Sequence, residues 1–387
     1  MKKRITAFVL SLFLLSIISS GSYSYPKFAA LYGEKCSNCH VNPTGGGMRK
    51  PGAMKFARKT LFFRFLKQAN ASTNIETQIS QGISVGGDMR MLFVDNQVGE
   101  NLPHFNSFFQ MQGDLYLNAE VNDYISVMIA PGLYIPGNNI PNNPLATKYE
   151  IYGLISGIPA GIYLKVGRFI PNFGIKLPEH RAYNRQFNDF YTPYASDAGF
   201  ELGISPDFGN GSLTLTAGVS NGSSTNAAGQ TNNNFDFDTQ RQFTGSLDFR
   251  WQGKKRKWGL GLGGSFINNP FKYDPANGTD AIRKVAAGYV AGGFMERVAI
   301  MGEWTYNRLD IANATSTRFD QRTLFGEIDI RIIDGLDLKG QYELYDNLAN
   351  EILNRRRYSF GVDMFPLTGL EIESIVRLVK EPNGSDI

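Results

Sequence analysis

From about residue 76 onward the chain is written in a period of two, and that pattern limits what it can fold into more than any other feature. In "FTGSLDFRW", Phe243, Gly245, Leu247, Phe249 and Trp251 share one face while Thr244, Ser246, Asp248 and Arg250 share the other. The same alternation sets Phe109, Met111, Gly113, Leu115, Leu117, Ala119 and Val121 against Gln110, Gln112, Asp114, Tyr116, Asn118 and Glu120. It returns at Leu324, Gly326, Ile328, Ile330 and Ile332, and again at Leu336, Leu338, Gly340, Tyr342 and Leu344. Successive side chains of a strand point to opposite sides of a sheet, so each run predicts a strand with one apolar and one polar face.

A soluble sandwich with one wet face would show the same period. Three features point instead to a transmembrane barrel. The runs, roughly ten to sixteen residues, exceed the usual five or six. Trp251, Trp258, Tyr345 and Phe365 fall near strand ends, where interfacial girdles belong. Short turns near Asn122 and at residues 157–161, 207–211, 253–257, 334–335 and 367–369 alternate with long loops at 96–104, 135–146, 173–195, 222–238, 268–280, 309–317 and 347–354. Short turns belong at the periplasmic end of such barrels and long loops outside. The expected fold is therefore all-β: an antiparallel transmembrane barrel of 14 to 16 strands over residues 73–387. The runs number about fifteen. Sixteen is favoured because single-chain bacterial barrels have even counts, which leaves either two merged strands or a returning strand after the run at 370–380.

The first 24 residues read as a secretory signal peptide: Lys2, Lys3 and Arg4, then an apolar run from Ile5 to Ile18, then small and polar residues before Pro26. Those three cations supply most of the formal net charge of +4. The remainder is close to neutral, which argues against a nucleic-acid partner. The leader also implies export, and with the barrel it places the chain in a bacterial outer membrane, in contact with its lipid.

Between leader and barrel, residues 25–72 are too few to build much of a core unaided. They hold both cysteines of the chain in "CSNCH", Cys36, Cys39 and His40. C-x-x-C-H is the attachment signature of a c-type haem: two thiols three residues apart reach the two vinyl groups of one porphyrin, and the neighbouring imidazole lies under the iron. A disulfide would close only a tiny loop of little stabilising value. A thiol redox pair needs the same two cysteines, and a zinc site lacks a fourth ligand. The expected cofactor is one covalent haem c, with Cys36 and Cys39 as attachment points and His40 as proximal ligand. Met48, after the Gly45-Gly46-Gly47 run, and Met54 are the candidates for the distal position, where a thioether would raise the potential. Each could equally be a packing residue. His104 and His180 fall in outward loops.

"AMKFARKTLFFRFLKQ", Ala53 to Gln68, reads as a helix that either meets the membrane surface or covers the haem with Phe56, Phe62, Phe63 and Phe65. Arg168, Lys176, Arg181 and Arg185 belong to a stretch that either folds inward as a constriction or stays solvated. Asp114, Glu120, Asp248, Glu327, Asp329 and Glu343 lie on polar strand faces and could offer oxygen ligands to ferrous iron, or simply keep a lumen wet. Hydrolase and phosphate-binding motifs are absent from the sequence.

The leader, "YPKFAALYGEKCSNCH" and the barrel pattern together resemble the outer-membrane cytochrome-porin fusions, of which those of iron-oxidising bacteria are the best known. The haem motif carries the specific part of this resemblance and the barrel the architectural part. The Gly-rich "NPTGGGMRKPG" departs from the iron-oxidase pattern. The resemblance implies electron transfer across the outer membrane between an extracellular donor or acceptor, such as ferrous iron, and a periplasmic c-type cytochrome. The competing reading is a passive diffusion porin with a haem-bearing N-terminal plug. Neither reading fixes an oligomeric state.

Overall fold

The computed structural model describes residues 26–53, 57, 61–63, 77–96, 105–132, 149–179, 181–188, 196–222, 239–254, 257–274, 279–312, 317–367 and 369–380. The leader, Met54, Phe56, Phe65, His104 and His180 lie outside them. The strands are β1 (Gln78–Ser80), β2 (Ile83–Asn96), β3 (Phe105–Glu120), β4 (Ile125–Pro131), β5 (Tyr149–Ile158), β6 (Ile162–Phe169), β7 (Asp197–Ile204), β8 (Asp207–Phe208) and β9 (Gly211–Ser220). They continue as β10 (Gln242–Gln252), β11 (Trp258–Asp274), β12 (Thr279–Phe294), β13 (Val298–Ala312), β14 (Thr317–Ile333), β15 (Leu336–Asn347), β16 (Arg355–Leu367) and β17 (Leu370–Lys380). Short helices α1 (Pro26–Tyr32) and α2 (Tyr183–Gln186) both belong to segments inside the barrel.

Fifteen of these strands make the wall, with the short β1 and β8 flanking it, and each wall strand pairs antiparallel with the next. Among the described residues the count lies within the expected range, one below the favoured sixteen. Because it is odd, β2 and β17 run in the same direction. They flank one cleft lined by Met89, Met91, Leu370 and Ile375. The expected alternation holds: Leu117, Leu215, Leu247, Val290, Ile328 and Val376 point outward and are exposed, while Asp88, Asp114, Glu303, Thr323 and Asp363 point inward and are buried. An outward apolar belt with polar side chains within is the pattern of a barrel that spans a bilayer.

β11 and β13 run on to Asp274 and Ala312, into the loops expected at 268–280 and 309–317, and the wall departs from the sequence reading at three further places. Met89 pairs with Gly113 and Arg90 with Gln112, but Met91 pairs with Gln110, so Met111 is bulged out. A bulge shifts the parity of all that follows. The outward set of β3 therefore passes from Leu117 and Leu115 to Phe108 rather than to Met111. Second, the turn between β12 and β13 carries Met295 and Glu296 at φ 49° and 57°. This tight left-handed turn usually signals itself with Asn or Gly, and neither is present here. Third, of the expected girdle aromatics only Trp258 is exposed. Phe365 turns inward against Phe28 with ring centroids 6.1 Å apart, and Tyr345 stacks on Phe187 at 3.7 Å. Both are buried because the lumen holds protein to pack against.

Two chain segments fill that lumen. The first is α1, lying across the short-turn ends of β11 to β13. Gly259 and Gly293 are register partners there. A Cβ on Gly259 would stand 2.4 Å from the Ala30 carbonyl oxygen, and one on Gly293 2.3 Å from Leu31 Cα. The pair is thus a flat seat that only glycine leaves open. Lys27 fixes the helix in place. Its Nζ lies 2.6 Å from Asp363, 3.2 Å from Asp337 and 3.4 Å from Asp329, and all four side chains are buried. Burial opposes the charge, but the aspartates win and push the Lys27 pKa upward. Removing one partner from a buried ion cluster costs about 3–5 kcal/mol. Lys27→Ala is therefore expected to unseat the N-terminal segment, as is Gly293→Val. Limited proteolysis of the folded barrel should show that segment cut far faster than in the parent, with the wall itself still resistant.

Candidate functional site

The three residues of the haem motif sit on one tight turn. Cys36–Asn38 form a single 3-10 turn, and the Cys39 and His40 amides both donate to the Cys36 carbonyl at 3.1 and 3.0 Å. Both thiols thereby lie on one side of the chain, and neither is in a disulfide. A small ribbon completes the segment: the Val41 amide donates to Met48 and the Lys50 amide to Cys39. Gly45, Gly46 and Gly47 form its tip at φ 85°, 80° and 62°. Three successive left-handed residues would cost a chain of ordinary residues about 1–2 kcal/mol each, which accounts for the run of glycines. Gly45 also approaches closely, since a Cβ there would lie 3.2 Å from the Cys36 sulfur.

Cys36, Cys39 and His40 line one lumen cavity of about 390 Å³, together with Phe28, Ala29, Tyr32, Gly45, Gly46, Lys176, Arg250 and Tyr289. The turn also borders a second cavity of about 630 Å³ at the short-turn mouth, where Lys35, Ser37, Asn38 and Lys50 face Asn118, Glu120 and Tyr163. Gly45, Gly46 and Lys176 separate the first cavity from a third, of about 120 Å³, lined by Asp88, Arg90, Glu150 and Arg185. The three cavities run in series along the lumen. The haem-motif turn occupies the middle.

Local electrostatics favour ligation over thiol redox chemistry. Burial pushes the Cys36 thiol up, and burial with Glu34 does the same for Cys39. A reactive redox cysteine needs the opposite shift. Burial, with Arg49 and Lys176 nearby, lowers His40 to about 3, so its imidazole is neutral, the state that donates a lone pair to a metal. The residues present therefore fit a haem c. Two free thiols and a neutral imidazole border a partly apolar cavity whose edge is opened by glycines. Met48 does not join them. Its backbone is in the ribbon, but its side chain is buried with Tyr116, Met128, Tyr152 and Phe169.

The second lumen filler is the stretch after β6, which folds inward rather than out into solvent. Asn172 donates to Ser246 at 2.6 Å and the Gly174 amide to Ser265 at 2.7 Å. The Ile175 amide and Asn184 both donate to Glu303, the Tyr183 amide to Glu343, and Asn188 to Thr305. Glu179 pairs with Arg377 of β17, while Arg90 of β2 donates to the Pro178 carbonyl, so the loop ties both flanks of the β2/β17 cleft. Arg168 and Arg185 are buried and Lys176 is half-buried, whereas Arg181 is exposed. Lys176 bonds Thr44 Oγ1 at 2.9 Å and the Gly45 carbonyl at 3.2 Å, joining this loop to the motif-bearing segment.

The acidic lumen residues do not assemble a metal site. Asp114, Glu327, Asp329 and Glu343 are buried and Asp248 is half-buried, while Glu120 is exposed. Asp248 is paired with Arg250, Asp329 with Lys27 and Glu343 with Arg357. Among the described residues no group of three or more His, Cys, Asp or Glu is placed to hold a metal ion. Sequence reasoning missed Lys27, Asp337 and Asp363, and read Asp329 only as a polar-face carboxylate. The available signal was an aspartate at a lumen-facing position of β14, β15 and β16 in turn.

Barrel, inward loop and turn lengths together define a porin-like β-barrel. No family model and no curated protein matches the chain. Among solved structures, OmpT of Vibrio cholerae in its trimer form is 12% identical over 79% of this chain and 93% of that one, with a TM-score of 0.51. An anion-selective porin from Comamonas acidovorans gives 11% identity over 77% and 89%, with a TM-score of 0.49. OprB of Pseudomonas putida gives 11% over 78% and 91%, with 0.48. At such identities the likeness speaks for the fold alone.

If the loop is held inward by these bonds, Glu303→Ala should release it, because the acceptor for Ile175 and Asn184 is lost. Planar-bilayer recordings are expected to show larger and noisier single-channel conductance than the parent. An unchanged conductance would mean that the other anchors suffice.

Proposed function

We propose that this chain is an outer-membrane electron-transfer protein that carries one covalent haem c inside a porin-like barrel. The observation behind this reading is that Cys36, Cys39 and a neutral His40 border a single lumen cavity, which lies between a periplasmic mouth and an inward-folded loop. Cys36 and Cys39 would hold the group by thioethers and His40 would bind its iron. Bound there, a haem supplies reversible one-electron exchange.

The chain's own residues set the conditions for that exchange. α1, with Phe28, and Tyr32 at its end shield the cavity from the wall side, and the seated helix keeps bulk water from reaching it along β11 to β13. Lys35 anchors the turn to the mouth through Asp207 at 2.8 Å and the Ser205 carbonyl at 3.2 Å. Asn38 and Lys50 stay exposed at that mouth, where a periplasmic c-type cytochrome could approach. From the other end, an extracellular donor or acceptor would reach the 120 Å³ cavity, with only Gly45, Gly46 and Lys176 between it and the motif. An apolar band about 25 Å tall is too thick for an electron carrier confined to one rim. A site inside the lumen shortens the path.

The likeness in fold to porins favours a second reading, passive diffusion, in which the N-terminal segment is only a plug. Two measurements separate the readings. In solubilised outer membranes the parent chain is expected to give a c-type visible spectrum that survives denaturation, and Cys36→Ala with Cys39→Ala to abolish it. In intact cells, ferrous iron or another extracellular donor should then reduce the haem of the parent. A chain without covalent haem but with steady open-channel conductance would decide for the porin.

A further inference from the structure

We propose that Lys176 would supply the second protein ligand to the iron, alongside His40. The proposal rests on the haem reading above and names a residue that the sequence pattern does not single out.

The cavity narrows the choice of donor. Besides His40, the described residues lining it offer the phenols of Tyr32 and Tyr289, the carboxylates of Glu34 and Asp248 and the amines of Lys35 and Lys176 as lone-pair donors. Asp248 is paired with Arg250, and Glu34 accepts from Asn38. Lys35 is committed at the mouth to Asp207 and Ser205. The Tyr289 hydroxyl lies over the wall at Gly263, where an added Cβ would stand 2.3 Å from it. Burial holds the Tyr32 phenol above its usual range against the opposing pull of Arg331, so phenolate ligation there is opposed. Met48 is packed in another cluster.

Lys176 differs in each respect. It reaches the cavity from the inward loop, on an arm fixed by the Gly174 and Ile175 amides bonded to Ser265 and Glu303. Its Cδ lies 4.0 Å from where a Gly46 Cβ would be, so the side chain passes over the glycine tip beside Cys36. No carboxylate is hydrogen-bonded to its Nζ, which is held only by the Thr44 hydroxyl and the Gly45 carbonyl. Ligation requires the ammonium to give one proton to solvent and the freed nitrogen lone pair to bond the iron. Nothing is oxidised or reduced in that step.

The consequence is a nitrogen–nitrogen ligated iron, tied by one bond to the loop that spans the lumen. A thioether in the distal place would raise the potential, so Lys176 and a methionine in its position predict different electrochemistry.

The test uses the full chain matured in a host that attaches haem c. Haem staining after denaturation first asks whether the group is covalent. Electron paramagnetic resonance and near-infrared magnetic circular dichroism then read the ligands of the oxidised parent, Lys176→Ala and Lys176→Met. We expect a low-spin, nitrogen–nitrogen signature in the parent, loss of that signature in Lys176→Ala, and a sulfur-type band with a raised potential in Lys176→Met. Covalent haem whose spectrum and potential are the same in the parent and Lys176→Ala would overturn the proposal and leave the haem reading standing. A sulfur-type band in the parent would do the same, and it needs no variant to fold. A parent chain without covalent haem would overturn both.

Discussion

The pairing of buried charge inside the lumen is the interaction on which the rest depends. An open porin leaves its inward polar side chains to water. Here the N-terminal segment and the loop after β6 exclude that water, so Lys27, Lys165, Glu201, Glu303, Glu343, Arg357 and Asp363 are buried. A buried charge is tolerable only when it is paired and hydrogen-bonded. Lys165 with Glu201, Arg357 with Glu343, and Lys27 and Lys339 with Asp363 meet that demand. The fillers and the wall are therefore one interior. Removing the N-terminal segment would take Lys27 from Asp329, Asp337 and Asp363, and removing the loop would take Glu179 from Arg377.

This also explains why the segment at residues 26–53 can hold a shape despite its size. Its own backbone hydrogen bonds make a seven-residue helix, one short turn and one ribbon, too little to be stable alone. Phe28, Leu31 and Tyr32 share a core with Ile175, Leu177 and Phe365, which belong to the loop and the wall. Met48 shares another with strands β3 to β6. The chemistry-bearing turn is thus positioned by the barrel more than by its neighbours in sequence.

The wall was legible in the sequence because a bilayer on one side and polar contacts on the other impose strict alternation, seen at Leu247 and at Ile328. What escaped were local exceptions to that rule: the Met111 bulge, which resets parity without changing composition, and the Met295-Glu296 turn, which forms without Gly or Asn. The inward course of Phe365 and Tyr345 was equally hidden. An aromatic near a strand end reads the same whether it meets lipid headgroups or a plug. At the site, the spacing of Cys36, Cys39 and His40 was read directly from the chain. Lys176 was visible only as one of four basic residues in a long loop, since its role depends on a contact with Thr44 more than a hundred residues away in sequence.

The seat of Lys27 has a consequence for how the molecule assembles. Its contacts with Asp329 and Asp363 span 302 and 336 residues, joining the start of the described chain to β14 and β16 near its end. Contacts of such long sequence separation form slowly, because the entropy of closing the loop is lost before they can reward it. The seat does not exist until β14, β15 and β16 are side by side. The ordering of the N-terminal helix is therefore a late event, and a seated Lys27 marks a wall whose final strands are already in register.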